Sequence, residues 1–328
     1  MNKTNLKRVL ELLVKLTLIA VALYFIIIKL KATEYHGVFT YTWHQPVFFI
    51  TLFFLLWAAN LLLDAAIWKV VNNFVEGINL KRALKTNFVC YALAFITPAN
   101  SGELAGRYVM LNQKGDRKKT VFLTFWSHFP RLITKFLLGG SALLLLAFFS
   151  NKISMGQLIP AILIVFIIFL TGYFTILRLQ QWMAGRTAAR RDLSKYILND
   201  RPQFSEKVKL LLLSIAKYCA YNFQFIILLI MWNPTVWGME LILSVMAFYF
   251  ITALIPTFAA ADFIIKGALA LYFFDSHLAS EAQLINASFI TWAFNIALPA
   301  LIGTGIILKT NLINSIKARF SRDSRYAP

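Results

Sequence analysis

Long apolar runs separated by short, mostly basic segments dominate the chain. They cover about residues 9–28, 47–71, 87–111, 120–149, 157–177, 210–232, 240–274 and 285–308. A helix needs about 20 apolar residues to cross a bilayer. None of the runs shows the period-2 alternation of a transmembrane barrel strand. The pattern predicts an all-α polytopic membrane protein. The first run follows Lys3, Lys7 and Arg8, with no small-residue cleavage site after Leu30 and Lys31, so it reads as an uncleaved helix and not a signal peptide. Glu11 and Lys15 stand four apart and can pair in it. The run 120–149 makes about 45 Å of helix against a core of about 30 Å, so it must tilt or bend. Pro130 is the expected place.

Composition agrees. Of 328 residues, 59% are hydrophobic and 14% charged, against about 45–50% and about 25% in soluble domains. The mean hydropathy is +0.67. A water-soluble enzyme, a disordered chain and a disulfide-stapled secreted domain are excluded. The net charge of +19 would suit nucleic acid, but most Lys and Arg flank apolar runs, as cytoplasmic loops require. Cys90 and Cys219 both lie in apolar segments and indicate neither a disulfide framework nor a metal site. No cofactor is expected.

Loop charge sets the topology. Lys81, Arg82 and Lys85 precede the run 87–111, and Lys114, Arg117, Lys118 and Lys119 follow it. A run with basic flanks on both sides is expected to enter from the cytoplasm and return. Pro98 near its middle supplies the break, and the 12 residues to that point reach about 18 Å, the bilayer midplane. The run 240–274 has flanks without Lys or Arg and a break at Pro256, so it is expected to enter and leave on the outside. The result is about six transmembrane helices plus two oppositely oriented re-entrant helical hairpins, with both termini cytoplasmic. Residues 1–150 and 151–308 form an inverted repeat, and 309–328 a basic cytoplasmic tail.

The breaks are alike. Each has a proline, then an acid five or six residues on (Glu103, Asp262), then a base four residues later (Arg107, Lys266). Inverted repeats with helices broken at the midplane are a transporter architecture. A restarted helix offers free N–H groups and a positive dipole end to an anion. Asn100, Ser101, Glu103, Arg107, Arg131, Lys135, Asp262 and Lys266 are therefore the candidate substrate-binding residues, with His128 and Asn87 nearby. They are expected to line a polar, partly wet cavity, because unpaired charges at the bilayer centre are costly. The blander readings make Glu103 a capping acid that pairs with Arg107, Asp64 a structural partner, and Lys15, Lys69 and Lys217 snorkelling side chains. Trp43, Trp68, Trp182, Trp232 and Trp237 read as interface anchors, and the 30 phenylalanines as lipid-facing filler.

Residues 96–111, with Pro98, Gly102, Glu103 and Arg107, together with Arg131 and the Ile255-Pro256 break, resemble the transmembrane region of the lysylphosphatidylglycerol synthase/flippase family. The resemblance implies a module of a cell (inner) membrane that moves aminoacylated or otherwise polar-headed phospholipids between leaflets, with membrane lipids and a separate lipid-modifying enzyme as partners. The soluble aminoacyl transferase domain of the two-part members is expected to be absent. The acids usual around the arginine of the fourth run and the glycines usual at the second break are missing here. The alternatives are a membrane-embedded lipid-modifying transferase and a non-catalytic assembly partner. No HExxH, Gly-rich phosphate loop or Ser/His/Asp arrangement supports an enzyme.

Overall fold

The computed structural model describes residues 44–97, 101–111, 117–186, 203–255 and 262–309, with positions 24, 27, 28 and 259 besides. Most of the expected first span, Pro98, Asn100, Pro256 and the tail from 310 onward lie outside the described residues.

Every regular element among the described residues is helical. The order is α1 (Pro46–Asn72), α2 (Leu80–Ile96), α3 (Ser101–Met110), α4 (Arg117–Thr134), a π-helix π1 (Lys135–Gly140) and α5 (Ser141–Phe149). Then follow α6 (Met155–Arg186), α7 (Phe204–Trp232), α8 (Met239–Leu254), α9 (Asp262–Phe273), α10 (Glu281–Trp292), a second π-helix π2 (Ala293–Ala297) and α11 (Leu298–Lys309). Among the described residues, five helical stretches are long and apolar enough to cross a membrane: Pro46–Asn72, Leu123–Phe149, Met155–Thr175, Phe204–Trp232 and Glu281–Lys309. They coincide with five of the six expected spans.

The two remaining apolar runs are each split into a pair of helices, α2 with α3 and α8 with α9. The first begins at Leu80, seven residues before the apolar run, because the Asn79 side chain accepts from the Arg82 N–H and caps it. Thr97 follows α2 in extended conformation, and its hydroxyl accepts from Gly102 N–H at 2.7 Å. That bond ties the start of α3 to the end of α2. Gly102 lies against the backbone of α2, where a Cβ would fall on the Leu93 carbonyl, and one turn later a Cβ on Gly106 would meet Cys90 Sγ at 2.9 Å. Gly102 and Gly106 thus form a small-xxx-small contact that lets two helices approach closely. Gly303 of α11 makes a similar approach to the Phe88 carbonyl.

Pro130 lies within α4, and the departure from α-helical geometry comes one turn later as π1. In π2 the Phe294 carbonyl accepts from Trp57 Nε1 at 2.8 Å, so an irregular backbone group is satisfied from a neighbouring helix.

Helix α1 packs along α7, α2 against α3 and α11, α9 against α10, and α5 against α8. One apolar core centres on Phe225, Leu229, Leu241 and Phe248. Another centres on Trp68, Val71, Leu123, Tyr173 and Leu210. Two expectations are corrected here. Phe53, Phe225 and Phe248 are buried, not lipid-facing, because helix-to-helix gaps in this bundle take large rings. Trp68 and Trp232 are likewise buried, whereas Trp237 is exposed as an anchor would be. The outer face of α6, with Leu163, Ile164, Ile167 and Ile168, is exposed and apolar, as suits contact with lipid.

Candidate functional site

Four apolar helices each carry a stripe of polar residues at helical spacing, and the stripes face one another. Helix α1 contributes Asn60 and Asp64, α2 Asn87 and Tyr91, α4 with π1 His128, Arg131 and Lys135, and α7 Ser214, Lys217 and Tyr221. Spacings of three and four put each set on one side of its helix. The broken helices close the space with Glu103 and Arg107 from α3, and Asp262 and Lys266 from α9.

Two adjoining cavities result. The smaller, about 230 Å³, is lined by Asp64, Asn87, Glu103, Arg107, His128 and Asp262 among others. The larger, about 750 Å³, is lined by Lys135, Lys217, Tyr221, Tyr249, Asp262 and Lys266 among others. Tyr91, His128, Arg131, Asp262 and Ile296 border both. The larger volume lies within the range of small-molecule sites, about 300–1,000 Å³.

Three carboxylates organise the charge. Asp64 accepts from Lys217 Nζ at 2.6 Å, Arg131 Nη1 at 3.0 Å, Asn87 Nδ2 at 3.1 Å and Tyr91 Oη at 3.3 Å. Glu103 pairs with Arg107, and its other oxygen lies 2.8 Å from His128 Nε2. Asp262 pairs with Lys266 Nζ at 2.6 Å, and that ammonium also donates to Tyr221 Oη at 3.0 Å. The Arg107 side chain is only 2% exposed, with its guanidinium carbon 3.8 Å from the centre of the Trp68 ring, a cation–π contact. Arg131 also donates to Ser127 through Nε and Nη2. Beneath the charges, Asn60 donates to Asn295 Oδ1 and Asn295 to Gln224 Oε1, both at 2.7 Å.

Of the candidate residues, Glu103, Arg107, Arg131 and Asp262 line the smaller cavity, and Arg131, Lys135, Asp262 and Lys266 the larger. Ser101 is exposed at the start of α3 and borders neither. Asn100 lies outside the described residues. Lys217 does not snorkel, because Asp64 offers it a buried counter-ion. Asp64 is the most heavily shared acceptor of the site, more central than its position near the end of a span implied. Its spacing from Asn60 and Trp68 on one face of α1 was the available signal.

Phe125 and Leu132 of α4 line the larger cavity and are 67% and 43% exposed. Across from them Ala253 and Ile255 line it at the end of α8. The charged interior therefore reaches the outer surface of the bundle through an apolar mouth. Such a shape accommodates a molecule with a polar head and an apolar tail. Comparison with known families finds no matching profile, and no curated protein matches the chain.

Proposed function

We propose that this protein is a lipid flippase or lipid-linked-substrate transporter of a cell inner membrane, with both termini cytoplasmic and membrane lipids as its partners. The observation that carries the reading is the coupling of a charged cavity to an apolar, exposed mouth. A head held by Arg131 and Lys266 in the larger cavity, with Arg107 lining the smaller cavity that adjoins it, leaves its acyl chains in the bilayer, so neither part is stranded in the wrong solvent.

In this reading α2–α3 and α8–α9 are hairpins dipping from opposite faces, and the two halves of the chain are inverted copies. Several regularities support it. Helices α1 and α7 begin 158 positions apart (46 and 204), α2 and α8 159 apart (80 and 239), and the two π-helices 158 apart (135 and 293). Glu103 and Asp262, also 159 apart, each pair with a base four residues on. The resemblance to the lysylphosphatidylglycerol synthase/flippase family adds weight in the same direction, and a separate lipid-modifying enzyme is the partner that it implies.

Reconstituted vesicles test the proposal. Acyl-labelled phospholipid in the inner leaflet should become accessible to an external quencher when the protein is present. Arg107→Ala and the bulkier Arg107→Met, both checked for a monodisperse fold, should lose most of that access. Equal movement by wild type and folded variants would remove the assignment, and no movement by wild type with any labelled phospholipid would remove the function.

A further inference from the structure

Charge in the cavities is unevenly matched. Arg107, Arg131, Lys135, Lys217 and Lys266 stand against Asp64, Glu103 and Asp262, a surplus of two positive charges before His128 is counted. Every one of the three carboxylates already has a cation at ion-pair distance. Lys135, by contrast, makes no hydrogen bond or ion pair among the described residues, although it lines the larger cavity. It sits at the first position of π1, four residues after Arg131, so His128, Arg131 and Lys135 form a basic ladder about 10 Å long on one face of the helix.

The helix starts at the breaks do not compete for an anion. Glu103 lies in the first turn of α3 and Asp262 in the first turn of α9, where a carboxylate already offsets the positive dipole end. A cationic headgroup entering the site would have to displace a lysine or arginine from each carboxylate. An anionic one meets the Lys135 ammonium, which makes no hydrogen bond or ion pair among the described residues.

Resting on the transport reading above, we propose that the larger cavity is a seat for a net-anionic phosphate headgroup, with Lys135 its primary counter-ion, Lys266 and Arg131 flanking it and the Tyr221 and Tyr249 side chains walling it. Zwitterionic or aminoacylated headgroups are the disfavoured class. The acyl chains leave past Phe125 and Leu132. In this arrangement Glu103 and Asp262 hold the basic side chains in place and do not meet a cationic moiety of the substrate.

Two arms test it on the whole protein. In the first, the detergent-solubilised protein is titrated with phosphatidylglycerol, phosphatidylethanolamine, lysyl-phosphatidylglycerol and soluble glycerol phosphate, and bound lipid is counted by native mass spectrometry. Phosphatidylglycerol should bind at least about tenfold more tightly than the other three. Lys135→Gln should erase about tenfold of that preference, the loss of one charge-assisted hydrogen bond, and Lys135→Arg should restore it. Lysyl-phosphatidylglycerol binding as well as phosphatidylglycerol, or a Lys135→Gln protein with unchanged preference, overturns the anionic seat. Glycerol phosphate binding equally well overturns its assignment to a lipid. In the second arm the same lipids are followed in vesicles. Movement without charge preference would leave transport standing and overturn this inference. A charge preference in binding with no movement of any lipid would support the seat and overturn transport.

Discussion

Asp64 gathers two cations at one carboxylate inside an apolar bundle, and the energetic consequence is measurable. Its side chain is 7% exposed, with Lys217 at 2.6 Å and Arg131 at 3.0 Å, themselves 16% and 17% exposed. Asp64→Leu leaves both cations without their shared counter-ion, and removing one partner of a buried pair costs about 3–5 kcal/mol. Lys217→Met leaves Asp64 matched by Arg131 and should cost about 1–2 kcal/mol, close to one charged hydrogen bond. In the double variant only Arg131 lacks its counter-ion, so the cost should return to about 3 kcal/mol, near that of one unpaired intramembrane charge. The shortfall from additivity, roughly 1–4 kcal/mol, is the coupling of the pair. Equilibrium unfolding in mixed dodecylmaltoside and dodecyl sulfate micelles measures all three. Effects that add to within about 0.5 kcal/mol would mean that Lys217 and Asp64 share no energy, and the description of Asp64 as the organiser of the site would fall.

Two further outcomes follow from packing and topology. Gly102→Ala and Gly303→Ala each press a Cβ onto a backbone carbonyl of α2 and should cost about 1–3 kcal/mol by overpacking, while Gly77→Ala, with nothing within 4 Å, should leave the unfolding midpoint unchanged or raised. Midpoints equal across the three would contradict the close approach of α3 and α11 to α2. Single cysteines at positions 85 and 118, in a background without Cys90 and Cys219, should both react with a membrane-impermeant maleimide only when the cytoplasmic face is open. Labelling from opposite faces would remove the hairpin reading of α2–α3.

The helical class, five helices long and apolar enough to cross a membrane, and the split of two further runs are all legible in the sequence, because each depends on a property local to a segment. Apolar length decides whether a segment can cross a bilayer, and i to i+4 spacing decides which neighbours on one helix can pair. Glu103 with Arg107 and Asp262 with Lys266 belong to this class. The small-residue spacing of Gly102 and Gly106 is equally visible, but it does not name the helix that the two glycines touch. What the order of residues hides is which helix faces which. Asp64 meets Arg131 across 67 positions and Asn60 meets Asn295 across 235, and no periodicity on α1 names those partners. Trp68 illustrates the same limit. At a helix end it has the profile of an interface anchor, yet α3 brings Arg107 over its ring. The charge balance is countable from the sequence, but its distribution is not. Only the packing of α1, α3, α4, α7 and α9 around one space determines that three carboxylates have ion-pair partners while Lys135 has none among the described residues, since an ion pair depends on distances of a few ångströms that a linear chain does not contain.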